Sequence, residues 1–469
     1  VRLLLALALL VAARPAAALE AAAAKVDISP DLKTEKVLMA GFGATGRTPA
    51  GIHDPLYARI LVMREGDKTV AVVGLDLLGF YRNDVEDLRR LSGLDTVFVA
   101  ATHTHSGPDT LGLWGPRIGS SGVNLAYHTR LKTKVAEALK LLLTQLRPVT
   151  ASAGHGELDP RGLCRDSRDP QVIDPDLNIL RLAGKDGKAV ATVVNWSCHP
   201  EVLGRENMLI TADYPGPLCA RIEEKTGGAC VFLNGMIGGL MTPDITAENF
   251  YEAQRVGAAV ADAALALKTV AAPSRKLSYK SVVVRVPVEN SRYRLLLPAL
   301  TFGHHLYAAD GNELSKSGAR LLALKHLFTG LNEKTEPWIE TEVSLLDIGP
   351  ARLVGIPAEA FPEVIIGGYD GRYSFGHPIL TPGGPNPPDL SQAPKGPYLR
   401  DQVKARAPML VGLANDELGY LVPGYDFKVR PGKLMLPRYP GHYEETNSIG
   451  PSATGLLVDA AAQLLKENP

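Results

Sequence analysis

Residues 95–109, DTVFVAATHTHSGPD, constrain the fold more than any other stretch of this chain. A β-branched and aromatic run, Val97–Ala101, leads straight into His103 and His105, and Gly107-Pro108 then turns the chain. A run so short, bounded by turn residues, reads as a buried strand rather than a helix. Side chains two apart on an extended strand share a side, so both imidazoles are expected to face one pocket. The expectation is that they begin a zinc site which later segments complete.

The surrounding pattern repeats the same grammar. Residues 58–63 and 69–75 are strand-like and flank Glu65-Gly66-Asp67, a hairpin signal. Residues 82–91 carry helical apolar spacing at Val85, Leu88 and Leu91, and 126–146 predict a long amphipathic helix through Leu131, Val135, Leu139 and Leu142. Strands are expected at 148–156, 178–182, 190–196 and 230–233, with helices at 217–225 and 247–267. Two further strand regions, 276–288 and 340–356, flank a less regular middle at 304–331, and 452–465 predicts a closing helix. The Gly/Pro-dense stretch 369–397 reads as a long surface loop and a candidate lid. Together these predict an α/β protein, mixed β-sheets flanked by helices, with functional groups at the C-terminal ends of strands.

The first residues shape the expected location. Arg2, an apolar run at 3–13 and small residues at 16–18 read as a secretory signal peptide, too short for the ~20 apolar residues of a membrane span. Residues 1–24 are therefore assigned to a leader and short N-terminal segment, and 25–469 to one catalytic domain in a secreted or periplasmic protein. A formal net charge of zero gives no electrostatic reason to expect nucleic acid or an anionic membrane as a partner. Cys164, Cys198, Cys219 and Cys230 show no CxxC metal signature, and Cys198 reads as a buried thiol beside His199.

Alone, a His-x-His after a strand is an ambiguous signal. A metallo-β-lactamase-like site wants a further histidine soon after an aspartate, and Asp109 has none following it. A TIM-barrel amidohydrolase puts such a pair on its first strand, whereas at least two strands precede this one. The case strengthens because His199 and Glu359 also follow buried strands within Gly/Pro-rich turns. Imidazoles plus a carboxylate form a normal catalytic zinc shell.

Taken in order, ATHTHSGPD, NWSCHP, GLMTPD, IPAEAF, GLANDELGY and HYEETNSIGP resemble the catalytic domain of the neutral, non-lysosomal ceramidases. GIHDPLYARI and RGLCRD extend the resemblance to about residues 36–460. The resemblance implies one zinc ion held by His103, His199, Glu359 and Tyr420, with His105 beside it as an acid/base group. It further implies that Arg161 stabilises a developing oxyanion and that Tyr443 contacts the scissile region. Thr242 stands where the family has a serine; it keeps a hydroxyl but its methyl narrows the pocket. The chain ends at Pro469, so the C-terminal immunoglobulin-like domain of larger members is expected to be missing.

The implied function is hydrolysis of the amide bond of ceramide or a related N-acyl amide by zinc-activated water. The implied partner is this small lipid-like substrate, with peripheral rather than transmembrane membrane contact. Two competitors remain at this point: an esterase or peptidase using the same shell, and an exported binding protein without turnover.

Overall fold

The computed structural model describes residues 18–272, 275–295, 302–329, 337–429 and 442–469. The proposed leader's first seventeen positions lie outside these residues. Eight strands form the larger sheet: β1 (Glu20–Asp27), β2 (Tyr57–Glu65), β3 (Lys68–Leu75), β4 (Val97–Ala101), β5 (Arg147–Glu157), β6 (Asp176–Gly184), β7 (Ala189–Trp196) and β8 (Ala229–Asn234). Their spatial order is β8-β7-β6-β5-β1-β2-β3-β4. The expected hairpin forms, with Gly66 at φ 62° turning β2 into β3. β1 runs at the middle of the sheet, antiparallel to β2 along its length and paired with β5 at its start, so the sheet begins inside the segment assigned to the leader.

Only the two ends of this sheet are parallel, β3 with β4 and β7 with β8. Parallel neighbours need a crossover. Helix α1 (Arg82–Ser92) supplies the first and α3 (Pro215–Thr226) the second. Two longer helices, α2 (Leu125–Leu143) and α4 (Phe250–Ala266), lie beside them. Asn124 caps α2 by accepting the Tyr127 N–H at 3.0 Å, and Asn249 caps α4 by accepting that of Glu252 at 2.9 Å. The apolar stripe read from the sequence, Leu131, Val135, Leu139 and Leu142, is buried against β1–β4. Leu218, Ile222, Val256 and Val260 cover β6–β8 in the same way.

The opposite face of the sheet packs on a second one. Its main strands are β9 (Arg275–Pro287), β10 (Trp338–Gly349), β11 (Ala351–Gly355) and β12 (Ala407–Val411), in that order. Phe98, Leu180, Val193 and Val231 meet Leu346, Leu353, Met409 and Val411 in the shared core. Helix α5 (Ala453–Glu467) covers the outer face through Leu457, Ala461 and Leu464. The result is helices, sheet, sheet, helix, the expected α/β class with mixed sheets. The stretch read as irregular, 304–331, instead contains a helix, Lys316–Thr329.

The sheet curls until its β8 edge packs over β3 near the opposite edge. A Cβ on Gly74 of β3 would stand 3.0 Å from the Phe232 carbonyl of β8. At the ends of these strands the Asn234 amide donates to the Thr102 carbonyl at 3.0 Å and to the Cys198 carbonyl at 2.9 Å. One side chain thus ties the turn carrying His103 to the turn carrying His199.

Candidate metal centre

His103, His105 and His199 form a buried group whose ligating atoms all lie within 4.8 Å of one another. The geometry reaches this by a route different from the expected one. β4 ends at Ala101, and His103 takes a left-handed backbone at φ 72°, which a non-glycine residue adopts at a cost. Strand alternation therefore does not aim the pair; the turn does, with ring centroids 5.0 Å apart.

Two of the three imidazoles are locked. His103 Nδ1 donates to the Leu78 carbonyl at 2.7 Å, and His199 Nδ1 donates to the Met241 carbonyl at 3.1 Å. A carbonyl only accepts, so each Nδ1 carries a proton and Nε2 is the atom each ring can offer to a metal. Both Nε2 atoms face Glu359 Oε2, His199 at 3.0 Å and His103 at 3.4 Å. Two Nε2 atoms set against one carboxylate oxygen call for positive charge between them, which a shared cation supplies. Backbone acceptors behind metal-binding histidines are the usual supporting arrangement. The donor set therefore fits zinc. Burial opposes ionisation of Glu359, and positive charge beside it, on protonated His103 and His199 or on a bound cation in their place, draws its carboxylate below the usual range.

The remaining expected ligand, Tyr420, is brought to the same place. Glu359–Ala360 pairs in parallel with Tyr420–Leu421, with Glu359 opposite Tyr420. Burial and then the Glu359 charge keep Tyr420 a neutral phenol, and its hydroxyl lies 3.2 Å from that of Tyr443. Tyr443 is 38% exposed and stands at the mouth of the centre.

His105 differs from the other two. It is buried, but neither ring nitrogen has a hydrogen-bond partner. Burial, followed by the neighbouring His103 and His199, pushes its pKa well below the ordinary value. It can reach an ion in this group, while lacking the rear acceptor that orients His103 and His199.

Thr242 sits at the edge of the centre through a residue that the sequence did not single out. Its hydroxyl donates to Glu201 Oε1 at 2.7 Å, and Glu201 Oε2 lies 3.5 Å from His105 Nδ1. Glu201 thus holds the threonine and stands near the unlocked histidine without hydrogen-bonding it. Only the closeness of Glu201 to His199 in the chain pointed to it.

Arg161 is placed elsewhere. Its side chain is 71% exposed and pairs with Asp159 two residues before it. The arginine that enters the interior from this segment is Arg168. Its Nη1 donates to Glu444 and Glu445 at 3.1 Å each, and its Nη2 to Asp426 Oδ2 at 2.8 Å and Glu445 Oε1 at 2.9 Å. These acids bracket the short helix Glu444–Asn447, whose N-cap is Tyr443, so Arg168 anchors the turn that presents Tyr443. All four cysteines are buried free thiols.

With this geometry in view, comparison with solved structures is informative. The crystal structure of neutral ceramidase from Pseudomonas aeruginosa superposes on 97% of this chain and 75% of that one, with a TM-score of 0.64 at 18% identity. The chain has the fold of neutral ceramidase. A ceramidase complexed with C2 has the same fold, with a TM-score of 0.61 at 17% identity over 97% of this chain and 76% of that one. In sequence, 217 residues are 28% identical to the neutral ceramidase of Mycobacterium tuberculosis, covering 41% of this chain and 34% of that protein. Another 241-residue match, 24% identical, to neutral ceramidase of Pseudomonas aeruginosa covers 46% of this chain and 36% of that one. These sequence matches span about a third of the curated relatives' length. No protein-family model matches the chain.

Proposed function

We propose that this chain is a zinc-dependent hydrolase that cleaves the amide bond of an N-acyl lipid-like substrate, ceramide or a related N-acyl amide, and that it acts outside the cytoplasm. The observation that carries this reading is the convergence of two rear-locked imidazoles on the Glu359 carboxylate. His103, His199 and Glu359 would hold the ion, with Tyr420 alongside. Zinc in such a shell polarises a carbonyl and makes a bound water more acidic.

The chain's own groups supply the rest. His105 has free ring nitrogens beside the cluster and can take up a proton and return one to the leaving amine. Tyr443, half-exposed at the mouth, can donate its hydroxyl to the substrate's carbonyl oxygen. Thr242, held by Glu201, offers its oxygen as an acceptor to a substrate N–H or O–H. The buried surroundings of the three histidines exclude water and strengthen each of these interactions.

A panel of matched N-acyl amides and esters, including N-acylsphingosine, tests the assignment. Amine release from the amides supports it. Turnover of esters alone would move the protein to the esterases, and binding without amine release would make it a binding protein.

A further inference from the structure

Residues 109–124 follow directly on the His103–His105 turn and contain neither helix nor strand. A loop of this length inside a compact fold is usually functional. It is well anchored. The buried Asp109 carboxylate accepts backbone N–H groups from Leu111 at 2.9 Å, Gly112 at 2.8 Å, Trp114 at 3.0 Å and Gly122 at 3.1 Å. Both ends of the loop are thereby cinched onto one side chain, and its tip is held outward.

That tip is apolar where folding gives no reason for it. Ile118 is 79% exposed and Leu113 40%, and Leu125, where α2 begins, is 68% exposed. Residues 110–129 contain no Asp or Glu, and beyond the buried Asp109 the loop's one formal charge is Arg117, next to Ile118. Leu113 and Ile118, exposed on an acid-free segment beside a cation, complement a surface that is apolar beneath and anionic at its face, whereas Leu125 lines a cleft with Asp84, Glu86 and Asp87.

The base of the loop is continuous with the metal centre. Leu111 packs with Ala40, Leu78 and Tyr81, and the Leu78 carbonyl is the acceptor that locks His103. Trp114 Nε1 donates to the Gly43 carbonyl at 3.1 Å, and the neighbouring Phe42 ring meets His105 edge-on at 4.8 Å. Gly41, at φ 104°, has no room for a Cβ, which would stand 2.6 Å from His105 Cγ. The apolar tip and the pocket therefore share one rim.

We propose that the 109–124 loop docks the protein on a lipid bilayer. Leu113 and Ile118 enter the acyl region, and Arg117 meets head-group phosphates. The benefit of docking rests on the N-acyl lipid reading, because a membrane-borne substrate would then reach the pocket along the rim. The docking itself is measured without turnover.

The test is sedimentation of the full chain with sucrose-loaded vesicles of phosphatidylcholine containing phosphatidylglycerol. Wild type is compared with Leu113→Ser/Ile118→Ser and with Arg117→Gln. Wild type is expected to co-sediment. The double variant is expected to bind at least tenfold more weakly, and Arg117→Gln to weaken binding only on the anionic vesicles. All three proteins should share one thermal midpoint and one rate on a soluble short-chain N-acyl amide. Wild type that stays in the supernatant, or a double variant that binds as tightly, would overturn the proposal. So would a wild-type dimer that the double variant dissolves, which would give the face to a second copy of the chain. A lack of amide turnover by all three would defeat the catalytic reading and leave the sedimentation result standing.

Discussion

Replacing Arg168 by methionine tests how the structure presents Tyr443. The guanidinium is 4% exposed, and the side chains of Asp426, Glu444 and Glu445 are at most 2% exposed. Methionine fills similar space but strands these carboxylates. Lys428 still pairs with Asp426 at 2.8 Å and His442 with Glu445 at 3.0 Å, whereas Glu444 loses the one cation it contacts among the described residues. Removing one partner of a buried pair costs about 3–5 kcal/mol, and that is the expected loss at pH 7.5. The sign of the pH effect follows from Glu445. Burial pushes its pKa up, but His442 and Arg168 draw it below the ordinary value of 4.5. A carboxylate with a depressed folded pKa stabilises above its unfolded pKa, and that contribution is lost as pH falls through the folded value. The gap between wild type and Arg168→Met should therefore be full at pH 7.5 and narrow as pH falls, first as stranded Glu444, which burial already raises above 4.5, protonates in the variant, and last as Glu445 protonates in the wild type below 4.5. Urea unfolding at pH 7.5 and pH 4 measures both numbers, and kcat/KM at pH 7.5 should fall because the Tyr443 turn loosens. A loss below about 1 kcal/mol at pH 7.5, the range of an exposed pair, would refute the account of a dry network.

Thr242→Ser keeps the hydroxyl and should retain activity within about threefold, while Thr242→Val loses a bond to a charged partner and should cost about 10–100-fold in kcat/KM. His103→Ala should lose bound metal, whereas His105→Ala, which removes an imidazole with no rear acceptor, should keep it and lose rate; equal metal loss by atomic absorption would erase the distinction. Arg161→Ala removes an exposed ion pair and should change kcat/KM by less than about twofold. A larger loss would restore the oxyanion role implied by the family resemblance.

The parts of this molecule that sequence reveals are those decided locally. Val97–Ala101 is a strand because its β-branched residues and flanking turns allow little else, and the helix stripe on α2 is set by its own spacing. β1 is the opposite case. EAAAAKVD has poor strand propensity and straddles the expected boundary between the short N-terminal segment and the domain, so no strand is read there, yet pairing with β2 and β5 makes it extended. The helix Lys316–Thr329 was missed because it was grouped with the irregular sequence around it.

The site shows the same divide. His103, His199 and Glu359 stood out because each follows a strand within a turn-rich motif. Glu201, Asn234 and Arg168 did not, since each acquires its role from partners distant in the chain: Thr242, Thr102 and Glu445. RGLCRDSRD offers several arginines, and nothing local tells that Arg168 turns inward while Arg161 faces solvent. The lateral approach of His103 to His105 was legible, but its cause was not, because a left-handed residue after the strand replaces simple alternation.

The central claim is that His103, His199 and Glu359 hold the zinc on which amide cleavage depends. Metal content and N-acylsphingosine hydrolysis should be measured together on wild type, chelator-treated wild type and His199→Ala. The account predicts about one zinc per chain in the active wild type. It also predicts loss of metal and activity on chelation, recovery of both on adding zinc, and neither in His199→Ala. Undiminished hydrolysis by protein shown to be free of metal would contradict it.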